Sequence, residues 1–230
     1  MTAPDWDNPS VRTGMRAMLD QRASLIASGE RMIGWKLGFG APAWLEKFGL
    51  GGPLLGFLPE ARRHTSGDEI SCVGWVNPVF EPEIALHIGH DIDDPTRAAQ
   101  AISALGSAIE LADVDHAAED LEDVLSGNIF HRAVILGEPM EMRHQSLTEG
   151  LRAVVTRDGE VVVDTTDLQG LTGDLADILG HAAGLLDAAG DGIRSGEVVI
   201  MGSVVPPLAV RPGNEISFRL EPLRPISVRV

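Results

Sequence analysis

Glutamates stand inside two of the most apolar stretches of this chain, and few folds tolerate that. Val79-Phe80-Glu81-Pro82-Glu83-Ile84-Ala85-Leu86 has strand composition. Side chains at i and i+2 of a strand share a face, so Glu81 and Glu83 stand side by side. Adjacent carboxylates repel, and the repulsion is relieved by a raised pKa, by exposure to water or by a shared cation. Oxygen-only ligands favour Mg²⁺, Mn²⁺ or Ca²⁺ over zinc or copper. The plainer alternative is that both line a solvated strand edge. Ala108-Ile109-Glu110-Leu111-Ala112-Asp113 holds a third carboxylate. In a buried strand Glu110 must be paired, hydrogen-bonded or bound to metal, and alternation sends Ile109, Leu111 and Asp113 to the opposite face. Three glutamates from two strands make a half-cage whose free octahedral positions suit water and a chelating substrate on a catalytic Mg²⁺.

Lys36 is the other residue out of place. It lies in Gly34-Trp35-Lys36-Leu37-Gly38-Phe39-Gly40, with no acidic neighbour in sequence, and only Lys36 and Lys47 among the 18 basic residues are lysines. Among apolar groups a lysine either has its pKa lowered and serves as a base, or stays charged and binds an anion. A strand-end lysine that snorkels to solvent is the structural alternative. If it points into the metal pocket, Lys36→Met is expected to cut turnover by roughly 10²–10⁴-fold where proton transfer is lost, while barely changing metal affinity or folding. The seven histidines form no His-x-x-x-His and join no Gly-x-Ser-x-Gly, so they read as surface or structural residues, with His131 the one to watch. Glycine-rich nucleotide motifs are absent.

These residues need a scaffold, and the pattern is mixed. Ser10 to about Gly29 reads as an amphipathic helix with Ser10 as N-cap, Met32–Gly38 as a strand, Ala43–Phe48 as a short helix and 49–53 as a loop. Glu69–Ile88 reads as two or more strands broken at Asn77-Pro78 and at Pro82. A helix is expected over Pro95–Leu105, a strand over Ser107–Asp113, a helix over Ala118–Leu125 and a strand over Ala133–Leu136. Asp158-Gly159 between Leu151–Thr156 and Glu160–Thr165 predicts a type I′ hairpin. Thr172–Ala189 predicts a helix ended by Gly190, followed by strands at Glu197–Met201, Glu215–Leu220 and Ile226–Val230. Nothing divides the 230 residues, so one domain is expected, strand-rich in its second half, with an N-terminal helical lead over about residues 10–30.

Composition narrows function further. The net charge of −16, with no basic cluster, opposes nucleic-acid binding. The lone Cys72 excludes an internal disulfide framework and a cysteine-based metal site. The start resembles no signal peptide and no apolar run reaches the roughly 20 residues of a membrane span. A cytoplasmic location without membrane attachment is the expectation.

Taken in order, Gly34-Trp35-Lys36-Leu37-Gly38, Glu81-Pro82-Glu83-Ile84-Ala85, Ala108-Ile109-Glu110-Leu111-Ala112-Asp113 and Gly196-Glu197-Val198-Val199-Ile200-Met201-Gly202-Ser203 followed by Pro212-Gly213 resemble the fumarylacetoacetate hydrolase superfamily. The resemblance is nearest to its 2-keto-4-pentenoate hydratase and 4-oxalocrotonate decarboxylase branch. It implies an α+β fold, a strand-rich mixed β-roll of the fumarylacetoacetate hydrolase C-terminal-domain type with peripheral helices, and a homo-oligomer. It also implies Mg²⁺ or Mn²⁺ on Glu81, Glu83 and Glu110, a catalytic Lys36, and substrate contacts at Lys36, Gly38, Asn128 and Ser203. The implied activity is that of a metal-dependent lyase acting on small 2-oxo acids or 2-hydroxy-dienoates, as hydratase or decarboxylase, in breakdown of aromatic compounds. The chain departs from the family pattern at Gly40, Gly127 and Met201, and its segment between Glu83 and Glu110 is shortened. Two alternatives are an acylpyruvate carbon–carbon bond hydrolase of the same superfamily and a non-catalytic relative used for ligand binding or assembly.

Overall fold

The two glutamate-bearing runs are neighbouring central strands of one large sheet. The computed structural model describes residues 4–141 and 147–230, so His144 lies outside the described residues. In chain order the elements are α1 (Pro9–Ala27), β1 (Met32–Gly38), α2 (Pro42–Phe48), β2 (Leu54–Pro59), β3 (Arg63–His64), β4 (Pro78–Ile88), β5 (Ile102–Asp113), α3 (Leu121–Ser126), β6 (His131–Leu136), β7 (Met140–Glu141), β8 (Arg152–Arg157), β9 (Glu160–Thr165), α4 (Leu175–Ala189), β10 (Val198–Ser203), β11 (Leu208–Ala209), β12 (Glu215–Glu221) and β13 (Ile226–Arg229).

The large sheet runs β2-β1-β10-β4-β5-β6-β3, with β11 added on β4 and β7 on β5, and a second sheet runs β13-β12-β8-β9. Among the strands of the described residues, only β1 with β10 and β3 with β6 pair in parallel. The mixed sheet curls into a half-barrel. Alternation sorts its residues between two faces. Trp35, Leu37, Phe80, Ile84, Leu86, Ile109, Leu111 and Val199 join α1 and α4 in the main core. Ala85, Ala108, Val134 and Ile200 form a smaller cluster on the other face. By the same alternation Lys36, Glu81, Glu83 and Glu110 belong to that second face. Trp35 anchors β1 on the first face: its Nε1 donates to Glu197 at 3.0 Å and the Arg22 guanidinium lies 4.6 Å over its ring.

Most expected elements are present, and the differences have local causes. Pro82 does not break β4. Its missing N–H faces the gap between β10, whose pairing ends at Ser203 opposite Glu83, and β11, which begins opposite Phe80; its carbonyl accepts the Val204 N–H at 2.9 Å. Glu69 to Asn77 is irregular apart from one bridge between Glu69 and Arg229. Helix α1 is capped by Asn8 rather than Ser10, with its Oδ1 accepting from Ser10 N and Val11 N. Pro95–Ala101 is a 3₁₀ turn and β5 begins at Ile102, so the alanine-rich propensity for helix yields to pairing with β4. Strand β2, unexpected from sequence, is wholly buried; among the described residues five strands lie before residue 115 and eight after it, so the second half is strand-rich as expected, while the two longest strands, β4 and β5, lie in the first. Asp158 (φ 54°) and Gly159 (φ 84°) both take positive φ, as a type I′ turn requires. Gly190, at φ 83°, ends α4 as expected.

Candidate metal and substrate site

Antiparallel pairing sets Glu81 of β4 directly opposite Glu110 of β5, and the pleat brings Glu83 to the same face two residues on. One carboxylate oxygen from each of the three lies within 4.8 Å of the others. Glu83 and Glu110 are 0% exposed. Glu83 Oε2 accepts the Gly202 N–H at 2.7 Å, and Glu110 Oε1 accepts from Lys36 Nζ at 2.5 Å and from His131 Nδ1 at 2.8 Å. The second oxygen of each, Glu83 Oε1 and Glu110 Oε2, is buried without a hydrogen-bond partner. One ammonium therefore stands against three carboxylates, and two orphaned oxygens point at no protein donor. That donor set, all oxygen and short of positive charge, fits a hard divalent cation.

The electrostatics follow from that imbalance. Burial, then the neighbouring Glu110, pushes the Glu81 carboxyl up to about 7 against the pull of Lys36. Glu83 is held well above the ordinary carboxylate value by burial and by both other carboxylates. Glu110 goes the other way: burial opposes ionisation, yet Lys36 and the His131 hydrogen bond hold it below the usual carboxylate range. Burial likewise works against the charge on Lys36, but the carboxylates of Glu110, Glu81 and Glu83 outweigh it and raise its pKa. Of the two roles open to Lys36, its surroundings support the charged one. His131 is held neutral by burial, which leaves Nδ1–H to donate to the ionised Glu110.

The structure brings Lys36, Gly38 and Ser203 to the cavity that Glu81 lines. Ser203 pairs opposite Glu83, and its buried Oγ has no partner. Asn128 faces elsewhere. Its Oδ1 accepts the Phe57 N–H at 2.8 Å and its Nδ2 donates to the Phe57 carbonyl at 2.9 Å, so it ties the turn before β6 to β2. Gly56 makes this possible, since a Cβ there would lie 2.6 Å from Asn128 Oδ1 and 3.0 Å from Lys36 Cγ. Gly40, one of the departures, lines the cavity, and Gly127 caps α3. Met201 borders the cavity from β10.

The cavity has two lobes that meet at Glu81. One, of ≈90 Å³, is bordered by Gly40, Thr172, Gly202 and Ser203. The other, of ≈200 Å³, is bordered by Lys36 and by apolar side chains that include Trp44, Ile129 and Phe130. Thr172 and these apolar walls were not marked by sequence reasoning, because nothing local separates them from ordinary loop and core residues. His131 and Glu110 both stand out in the sequence, but nothing there shows that they pair across 21 positions.

A carboxylate trio backed by a lysine on one face of a curled mixed sheet defines a metal-dependent enzyme of the fumarylacetoacetate hydrolase type. The chain belongs to the fumarylacetoacetate (FAA) hydrolase C-terminal family, which matches residues 50–230. Among its relatives, a 4-oxalocrotonate decarboxylase of Pseudomonas sp is 26% identical over 212 residues, covering 89% of this chain and 81% of the relative. A 2-keto-4-pentenoate hydratase of Paraburkholderia phymatum is 28% identical over 207 residues, covering 86% and 77%. The same fold is seen in the 4-oxalocrotonate decarboxylase from Pseudomonas putida G7 complexed with magnesium and adipate. That structure matches with a TM-score of 0.85 at 22% identity, over 100% of this chain and 90% of that one.

Proposed function

We propose that this protein is a divalent-metal-dependent lyase acting on small 2-oxo acids or 2-hydroxy-dienoates, as a hydratase of the 2-keto-4-pentenoate type or a decarboxylase of the 4-oxalocrotonate type, in the breakdown of aromatic compounds. The observation that carries the reading is the pair of orphaned oxygens on Glu83 and Glu110 beside the ammonium of Lys36. Glu81, Glu83 and Glu110 would hold Mg²⁺ or Mn²⁺. The ion would supply Lewis-acid polarisation of the substrate's 2-oxo group. The relatives' names, and the magnesium in the decarboxylase structure, point the same way.

The chain's own residues have separable tasks in this reading. Lys36 Nζ gives one N–H to Glu110 and one to the Ile129 carbonyl at 3.0 Å, which leaves the third for the substrate. There a fixed cation neutralises the substrate carboxylate and orients the chain, in a pocket where a charge is weakly screened. The free Ser203 hydroxyl borders the adjoining smaller lobe and Gly38 borders both lobes, so the two are placed to position the oxygens of the acid. His131 fixes which oxygen of Glu110 faces Lys36, and Asn128 holds the turn that presents the Ile129 carbonyl.

The test is turnover of 2-hydroxypenta-2,4-dienoate and of 4-oxalocrotonate with Mg²⁺. Loss of dienol absorbance without pyruvate release marks a hydratase, and carbon dioxide release marks a decarboxylase. Pyruvate with a second carboxylic acid, released from an acylpyruvate, marks the hydrolase alternative. No turnover of any of these by metal-loaded protein overturns the lyase reading in favour of the non-catalytic relative. The same reading has the 230 residues acting as one catalytic domain in a cytoplasmic homo-oligomer. Support comes from β9, an edge strand with Val161 and Val162 exposed, and light scattering that shows only a monomer counts against it. Among the described residues no helix is long and apolar enough to cross a membrane.

A further inference from the structure

The larger lobe of the cavity is walled by residues in an unfavourable backbone conformation. Phe39 (φ 60°), Ile129 (φ 50°) and Phe130 (φ 61°) all lie in the left-handed region, and Asn128 (φ 55°) extends the run to three consecutive non-glycine residues. That region crowds Cβ against the following carbonyl, most of all for a β-branched residue such as Ile129. Such strain persists where neighbouring contacts over-determine it, and it gathers at ligand clamps. Two fixtures hold this turn: the exchange of hydrogen bonds between Asn128 and Phe57, and the Lys36 Nζ bond to the Ile129 carbonyl.

The result of that strain is an apolar wall. Ile129 and Phe130 face Phe39 and Trp44 around a space of ≈200 Å³, with Phe39 and Phe130 ring centroids 6.4 Å apart and Phe39 and Trp44 5.0 Å apart. An apolar cavity of about 150 Å³ accommodates benzene, so the lobe has room for a ring or a short alkyl chain. The nearby cations are committed. Lys36 is bound to Glu110 and to the Ile129 carbonyl, and its remaining N–H serves the substrate's own 2-oxo carboxylate; Lys47 donates to the Ala118 carbonyl and lies 4.9 Å over the Trp44 ring, and Arg132 pairs with Asp115. Among the described residues, no other basic side chain borders the lobe.

We infer that the substrate ends in an uncharged hydrocarbon group, from a short alkyl chain to a phenyl ring, and that an acid ending in a second carboxylate is rejected. Phe39, Ile129 and Phe130 determine this choice. The inference rests on the reading of the site as one for 2-oxo acids, and it separates this chain's preference from that of an enzyme for dicarboxylates.

The test is calorimetric binding of unreactive 2-oxo acids to the Mg²⁺-loaded protein, which needs no turnover. Each buried methylene is worth about 4-fold in affinity, so 2-oxohexanoate should bind at least about 10-fold more tightly than pyruvate. 4-Phenyl-2-oxobutanoate should also bind more tightly than pyruvate. 2-Oxoadipate has the same six carbons as 2-oxohexanoate but carries a terminal carboxylate, and it should bind about 10-fold or more weakly than that acid because the charge is desolvated without a partner. Phe130→Ala should move the ratio of 2-oxohexanoate to pyruvate affinity towards one, and the wild-type panel decides alone if that variant does not fold. Pyruvate bound with no gain from either longer hydrocarbon, or 2-oxoadipate bound as tightly as 2-oxohexanoate, overturns this inference and spares the 2-oxo acid reading. If neither pyruvate nor 2-oxohexanoate binds in the presence of Mg²⁺, both fall together.

Discussion

Two glutamates of the same site should respond to the same substitution with opposite signs. Glu83 has one orphaned buried oxygen and no cationic partner of its own, whereas Glu110 is the counter-charge of Lys36 and the acceptor of His131. In Glu83→Gln the amide oxygen still accepts the Gly202 N–H, and one of the buried negative charges is gone. Removing the surplus charge should stabilise the metal-free protein by about 1–4 kcal/mol. That raises Tm by about 2–16 °C for a chain of this size. Glu110→Gln leaves Lys36 buried without its partner and should cost about 3–5 kcal/mol, or roughly 6–20 °C. The pH dependence separates them again. Glu83 has a raised pKa, so its destabilising effect grows as pH climbs above the ordinary carboxylate value, and the gain from Glu83→Gln shrinks on acidification. Glu110 has a lowered pKa, so its stabilising contribution is present above that value and is lost as pH falls. Scanning calorimetry at pH 8 in chelator, then with Mg²⁺, reads both effects. At 100 times Kd the ion adds about 2.7 kcal/mol to the wild type and much less to Glu83→Gln, so the advantage of the variant should shrink by most of that amount. Both variants moving Tm in the same direction without metal, or an undiminished Mg²⁺ shift in Glu83→Gln, would refute the account of the site as an under-neutralised cation cage.

Lys36→Met should cut turnover by roughly 10²–10⁴-fold if proton transfer or substrate charge is handled there. The buried ion pair changes the other half of that expectation: the metal-free variant should melt well below the wild type because Glu110 loses its ammonium, and differential scanning fluorimetry measures it. His131→Asn keeps a donor near the Nδ1 position and should retain Mg²⁺ affinity within a few-fold, while His131→Leu should weaken it about 10–100-fold by calorimetry. Mg²⁺ affinity should rise between about pH 6 and 8, because Glu81, raised to about 7, and Glu83 must shed protons to bind; titrations in buffers of different ionisation enthalpy should detect the released protons, and a pH-independent affinity contradicts the shifts.

How much of this was legible before folding depends on whether a residue contradicts its local surroundings. Glu81, Glu83, Glu110 and Lys36 were visible because each places a charge in an apolar strand, and such a charge demands a reason wherever the strand lies in the fold. Their convergence was half legible: strand alternation pairs Glu81 with Glu83, but nothing in either run sets the register that puts Glu81 opposite Glu110. The union of Lys36 with Glu110 spans 74 positions and is a product of the sheet order, in which β10 separates β1 from β4. Pro82 misled for the same reason, since the gap between β10 and β11 that accommodates it belongs to a neighbour some 120 residues away. The walls of the larger lobe were the least legible. Phe39, Trp44, Ile129 and Phe130 look like any other core residues, and three of them adopt positive φ where no glycine announces it. Apolar residues that line a pocket and apolar residues that fill a core obey one physical rule, burial away from water, so only the backbone path tells them apart. The chemistry of such a site is therefore readable from residues that break the rule, whereas its specificity is carried by residues that obey it and emerges only once the chain is folded.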